Sequence, residues 1–497
     1  MEDDAPNIHC PWQPESKRGE HEGTRLTLNT IVGCESVCGW VPVADANCRL
    51  RKWESRTHPR IPGLMRNLTG VVLLTGRRPK NYPPGPPTLP IIGNLNQARQ
   101  YGPVYSLILG TRIMVVLSSD KAVKDLLGKK SNMYSHRPDM YIGQTLCSGD
   151  FRILMMGYGP RWRTSRKLVH TLLNVSAAKS YVPYQMLENK QMLYEMATQP
   201  ERLLQHIRRY SNALTTTMFY GWRTSTYEDE KMQQLFNGFS DFADINQTGT
   251  ATPIDFFFPW MRWLPYWIRH NFEHLYAFVQ AMILYPEVQC KAKVEIGRVV
   301  GSDRLPTMED EPKLQYIRSI VKESLRWMPT IIMGAVPHAF TQDDYYNGYL
   351  ISKNAGVVNN VWSIHMGPER HEDPRRFEPE RYKDDFQSLG DAAANPDVTK
   401  RDQFTFGAGR RICSGIHVAE RSLFLGVSRM LWGFNMTPAL DADGKDIIPD
   451  QEKLTQGFVC MPEGFPATIT PRTEKKRQMI VDDWKVAEDS LDPVTKQ

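Results

Sequence analysis

Cys413 is the residue of this chain best placed to do chemistry. It stands in Phe406-Gly407-Ala408-Gly409-Arg410-Arg411-Ile412-Cys413-Ser414-Gly415, a glycine-rich loop that runs into an apolar helix beginning near Ile416. Small residues let backbone N–H groups turn toward a sulfur, and the positive end of the following helix favours a thiolate over a thiol. Gly409 and Gly415 permit close backbone approach or a positive φ. Arg411 sets a cation near the sulfur, placed to hold an anionic group of a bound cofactor. A single activated cysteine of this kind is either a metal thiolate or a nucleophile, with a structural cysteine in a turn as the plain alternative.

Other groups could serve such a site. Trp162 and Arg166 stand at i, i+4 in a helix opening after Tyr158-Gly159-Pro160, so they share a face. An aromatic donor beside a guanidinium suits a carboxylate. His136-Arg137-Pro138 lies just upstream and reads equally well as surface charge. Glu323 and Arg326 stand at i, i+3. As an exposed pair they would be worth under about 1 kcal/mol. Phe377-Glu378-Pro379-Glu380-Arg381 supplies a further arginine downstream.

Taken together, these stretches resemble the cytochrome P450 family. Phe406, Gly409, Arg411, Cys413 and Gly415 match its haem-binding signature in register, and Trp162 with Arg166 matches its Trp-x-x-x-Arg motif. Glu323, Arg326 and Arg381 resemble the buried Glu-Arg-Arg set that locks the core around the cysteine loop. The resemblance covers residues 77–472 and is nearest to fungal P450s of secondary metabolism, similar to O-methylsterigmatocystin oxidoreductases. It implies a mainly α fold with a small β sheet, holding one haem b (iron protoporphyrin IX). Cys413 would be the axial thiolate. Arg411, Trp162 and Arg166 would be propionate contacts, and Phe406 and Gly409 part of the haem-binding loop. It also implies a monooxygenase that puts one oxygen atom from O2 into an apolar small molecule, with electrons from an NADPH–cytochrome P450 reductase.

The chain departs from the family pattern in one important place. The distal helix of P450s carries Ala/Gly-Gly-x-Asp/Glu-Thr, whose acid and hydroxyl help deliver protons to bound oxygen, and no such pattern occurs here. The text near Tyr276 joins directly to Ala277-Phe278-Val279-Gln280-Ala281-Met282, which resembles the segment after that helix, so the fold is expected to be incomplete. Without that wall the pocket opens to water, which favours uncoupled turnover. A haem protein with impaired turnover is therefore the alternative reading. A second is a non-haem protein using Cys413 as nucleophile, though no ordered Cys-His-Asn arrangement accompanies it.

The remaining chain must position these groups. With 41% hydrophobic residues it can bury a large core. The balance of 61 basic and 55 acidic residues suits an anionic membrane surface or an acidic redox partner, and no basic run with interleaved aromatics points to nucleic acid. Residues 1–76 hold no signal peptide or spanning helix and read as a poorly ordered segment; metal-binding spacings are not met there. Arg77-Arg78-Pro79-Lys80 and the prolines at 83–90 resemble the hinge of microsomal P450s. By that resemblance the domain lies at the endoplasmic reticulum membrane surface. Residues 101–119 predict a β-hairpin around Gly110-Thr111. The family's helix between the hinge and this hairpin is missing, since only residues 96–100 are left for it. Residues 122–129 return to a helical pattern, and 181–227 are helical and amphipathic. The aromatic run 254–267 would line a core or dip into a membrane interface. Gln456-Gly457-Phe458-Val459 resembles a substrate-contacting loop, and the charged tail 473–497 is expected to fray.

Overall fold

The computed structural model describes residues 78, 81–85, 101–109, 112–146, 148–245, 274–334, 336–397, 399–401, 404–455 and 460–491. Every described residue lies in one compact unit, Gly76–Gln497. The N-terminal cysteine-bearing segment, the aromatic run, the 96–100 junction, the 456–459 loop and most of the proline block lie outside the described residues.

The hairpin forms where alternation and β-branched residues predicted it. β1 (Val104–Leu109) pairs antiparallel with β2 (Arg112–Leu117), from Val104↔Leu117 to Leu109↔Arg112. A short β3 (His338–Ala339) and β4 (Gly356–Asn359) complete a sheet ordered β1-β2-β4-β3, with β2 and β4 parallel. Its inner face buries Val115, Leu117, Val357 and Phe340. Gly85 lies against β1 so closely that a Cβ there would overlap the Ser106 carbonyl. Arg78 donates to Ser106 Oγ at 2.8 Å and to the Gly85 carbonyl at 2.9 Å, so it is held by the sheet rather than offered to lipid head groups.

The helical part follows the apolar periodicity. Its elements are α1 (Pro160–Leu173), α2 (Val182–Thr198), α3 (Leu203–Tyr220), α4 (Glu230–Ile245), α5 (His274–Leu284), α6 (Pro286–Val299), α7 (Gln315–Trp327) and α8 (Ile416–Gly433). Pro160 opens α1, where its missing N–H costs nothing. The stretch after Ser119 is helical as expected, one α turn continuing into a π turn over Lys124–Lys129. α5 is apolar all round, and Leu275, Phe278, Val279 and Met282 are buried; such a helix belongs at the centre of a core. It packs so tightly on α8 that a Cβ at Gly426 would sit 3.2 Å from Leu275 Cδ2. Trp327, Trp432 and Phe278 are fully buried in this core. Each such side chain contributes up to about 3 kcal/mol of apolar burial. β5 (Phe434–Leu440) and β6 (Ala467–Pro471) close the chain's last sheet.

The described part of the charged tail, through Leu491, is ordered rather than frayed. Residues Glu474–Asp489 form α9, capped by Thr473, whose hydroxyl accepts from the Lys476 amide. Ile480, Val481 and Trp484 fall on one face and are buried, and Lys190 pairs with Asp483 at 2.8 Å. Charge content hid a sparse i, i+1, i+4 apolar stripe.

Candidate haem-thiolate site

The cysteine loop is held by its own backbone and by two glycines. The Cys413 amide donates to the Phe406 carbonyl at 2.8 Å, closing the loop before α8 begins. Gly407 and Gly409 take φ values of 78° and 59°. A Cβ at Gly409 would also overlap the Leu127 carbonyl oxygen, so only glycine fits. Gly415, expected to need similar freedom, has an ordinary φ of −84°; Gly407 is the second glycine the turn requires. Gly415 acts through its N–H, which bonds the Cys413 sulfur.

Cys413 keeps an exposed face although protein packs round most of it. Burial pushes its thiol up from the ordinary value, and the Gly415 N–H and the Arg166 charge oppose this without overcoming it. The loop geometry expected to favour a thiolate is therefore present, but desolvation outweighs it in the protein alone.

The structure brings the sequence-derived candidates together. Arg166 donates to Ser414 Oγ at 2.7 Å and to the Ile412 carbonyl, which ties α1 to the cysteine loop. Arg411 lies 4.1 Å over the buried Trp162 ring and donates to the Ser135 and Met156 carbonyls at 2.8 Å. Phe406 packs against the cluster of Leu325 and Ile416.

Arg137 and His338, which the sequence did not single out as candidates, lie near Arg411. Arg137 is buried, not surface charge, and donates to the Leu154, Val336 and Pro337 carbonyls at 2.7–3.0 Å. Burial, then Arg411, pushes its pKa down to about 9. His338 is buried on β3 with Nδ1 2.8 Å from the Tyr134 carbonyl; burial, then Arg137, pushes it down to about 3. The one available hint was the Arg-Pro step at 137–138, which bends a loop inward.

Arg137, Arg166 and Arg411 have no ion pair to a carboxylate among the described residues, and burial, their largest influence, lowers the pKa of all three. Arg137 is buried and the other two are half-buried, and cations drawn out of water without counter-ions are costly unless an anion joins them. This acid-free group beside an open cysteine fits the two propionates of haem above a thiolate. Behind the loop the expected core set assembles. Glu323 grips Arg326 with two contacts of 2.7 Å, both side chains fully buried, and Arg381 approaches Glu323 at 3.7 Å. Burial works against the Arg326 charge, but the bonds and charge of Glu323 outweigh it and raise its pKa.

An apolar cavity of about 310 Å³ adjoins the loop, walled by Ile207, Tyr210, Leu275, Phe406, Ala419 and Leu423. It opens where α5 begins, the place where the distal motif is missing from the sequence. No group of three or more metal-ligating side chains competes elsewhere among the described residues.

A mainly α fold with a loop cysteine beside guanidiniums that have no carboxylate partner is an arrangement that suits a haem-binding protein. The family model for Cytochrome P450 matches residues 83–283 and 274–467, and the chain belongs to the cytochrome P450 family. It is a haem-dependent monooxygenase of the fungal secondary-metabolism kind. Cytochrome P450 monooxygenase virE of Hypocrea virens is 42% identical over 499 positions, covering 84% of this chain and 90% of the relative. Cytochrome P450 monooxygenase fogE of Aspergillus ruber is 39% identical over 501 positions, covering 84% and 92%. A zebra fish cytochrome P450 solved with abiraterone superposes with a TM-score of 0.59 at 22% identity, covering 75% of this chain and 97% of that one. The two matched segments overlap on α5, so the correspondence with the family breaks there. The 499 positions aligned with virE also exceed what 84% of 497 residues can fill, so that relative carries residues with no counterpart here.

Proposed function

We propose that Cys413 is the axial ligand of the haem and that Arg137, Arg166 and Arg411, with Trp162, hold its propionates. The observation that carries this is the acid-free cluster of one buried and two half-buried guanidiniums beside the open face of Cys413. When bound, the haem supplies activation of O2 and transfer of one oxygen atom to the substrate. The protein supplies the sulfur, the Gly415 N–H that bonds it, and a loop whose glycines fix its position. The walls formed by Phe406, Ala419 and Leu423 exclude water and favour an apolar small molecule.

The redox partner is an NADPH–cytochrome P450 reductase, docking by its acidic face. The exposed Arg161, Arg163, Lys167 and Arg410 beside the cysteine loop support this reading, because they present positive charge near the sulfur. The endoplasmic reticulum membrane surface is the proposed location, supported by the proline block at 83–90. No helix among the described residues is long and apolar enough to cross a membrane.

The test is the reduced, CO-bound difference spectrum of the purified protein beside Cys413→Ala. A thiolate-type Soret band that vanishes in the variant is the expected result. A band unaffected by the substitution would overturn the assignment.

A further inference from the structure

We propose that His136, through its Nε2–H, is a further donor to the haem propionate that Arg411 holds. The proposal rests on the assignment of the propionates to Arg411 and its neighbours. The imidazole is fixed in one tautomer. Burial, then the Arg411 charge, lowers its pKa below the ordinary histidine value, so the ring is neutral at pH 7. The Tyr158 N–H donates to His136 Nδ1 at 3.0 Å, which leaves the ring's one proton on Nε2. That donor has no partner among the described residues. His136 is half-buried, and its Nε2, unlike both ring nitrogens of the buried His365, is not sealed from solvent, so a ligand can reach it.

The ring and Arg411 share one shelf of backbone. The imidazole lies on Gly157, where a Cβ would come within 2.8 Å of His136 Cε1, so a residue without a side chain is what admits it. Its own backbone is pinned by the Ala339 N–H, which donates to the His136 carbonyl at 2.9 Å. Arg411 is held by the chain neighbours of both: it donates at 2.8 Å to the carbonyl of Ser135, the residue before His136, and to that of Met156, the residue before Gly157. No carboxylate offsets the Arg411 charge at this imidazole. The two groups offer different things. Arg411 brings charge, and it already lowers the pKa of Arg137. His136 brings a directional donor without adding a fourth cation to that repulsion. Water can take the Nε2 proton when no anion is near. A carboxylate beside Arg411 displaces it, because a bond to a charged acceptor is about twice as strong as one to a neutral acceptor.

In the experiment the full-length protein is loaded with haem b or with haem dimethyl ester, whose esterified propionates carry no charge. The rate of haem loss to an acceptor globin is read for each. His136→Leu should speed loss of haem b about tenfold, the worth of a bond to a charged group, and loss of the ester by less than about twofold. A purely structural role for His136 would speed both alike. That result, or an unchanged rate with haem b, overturns the proposal. Should His136→Leu fail to fold, His136→Met decides by the same comparison, since its sulfur accepts the Tyr158 N–H and donates nothing. Arg137→Ala separates this proposal from the assignment beneath it. If that variant also treats haem b and the ester alike, the propionate assignment fails and His136 with it. If it distinguishes them while the His136 variants do not, only His136 is excluded.

Discussion

Arg137 spends its guanidinium on three carbonyls from two distant segments, and none of them neutralises its charge. That arrangement makes sense only when an anion arrives, so its removal should loosen haem more than it loosens the fold. Arg137→Ala is expected to speed haem loss about tenfold to a hundredfold, the worth of a charge-assisted bond. Transfer of haem to an acceptor globin measures this, and an unchanged rate would exclude Arg137 from the site. Cys413, Arg411, Trp162 and Arg166 could be named as candidates because their local spacing suggests the chemistry. Arg137 was not, since its burial depends on residues 336–337, about 200 positions away in the chain. Gly407 and Gly415 make the same point: both are glycine, and only the backbone tells which one needs to be.

At the scale of elements, β1 and β2 lie inside the predicted 101–119 stretch, Glu323 and Arg326 lie on one helix as their spacing implied, and α8 begins at Ile416, where a helix was expected to follow the loop. α9 was hidden because its apolar stripe is narrow and its other faces are charged. Trp484 fixes that helix: it is 4% exposed, meets Tyr194 at 6.2 Å between ring centroids, and lies under Arg223 at 5.6 Å. Trp484→Ala should cost about 3–5 kcal/mol. Urea unfolding followed by circular dichroism tests it; a loss below 1 kcal/mol, the worth of about one exposed ion pair, would mean that α9 is a loose appendage.

For the whole molecule, acid is the weak direction. His338 and His371 each titrate near 3 in the fold against 6.5 when free, burial being the main cause. Both take up protons more readily unfolded, so their contribution is complete above pH 6.5 and is lost as pH falls from 6.5 toward 3. The slope is about 1.4 kcal/mol per pH unit for each. Urea midpoints should fall across that window, less steeply in His371→Leu; equal slopes would contradict the burial of this imidazole. The missing distal motif sets a second global property. With α5 beginning at the cavity and no acid–threonine pair in the sequence, most electrons from NADPH should leave as hydrogen peroxide rather than in product. The ratio of product formed to NADPH consumed measures this, and tight coupling would show that another proton path exists. The core could be foreseen from the sequence; the cavity could not, because an empty volume has no residues to read.

Arg166 ties α1 to residues 412–414, and its charge acts on the Cys413 sulfur. Whatever settles on the basic face of α1 is then in mechanical and electrical touch with the sulfur. A partner's charge on that face is expected to shift the redox potential at the sulfur.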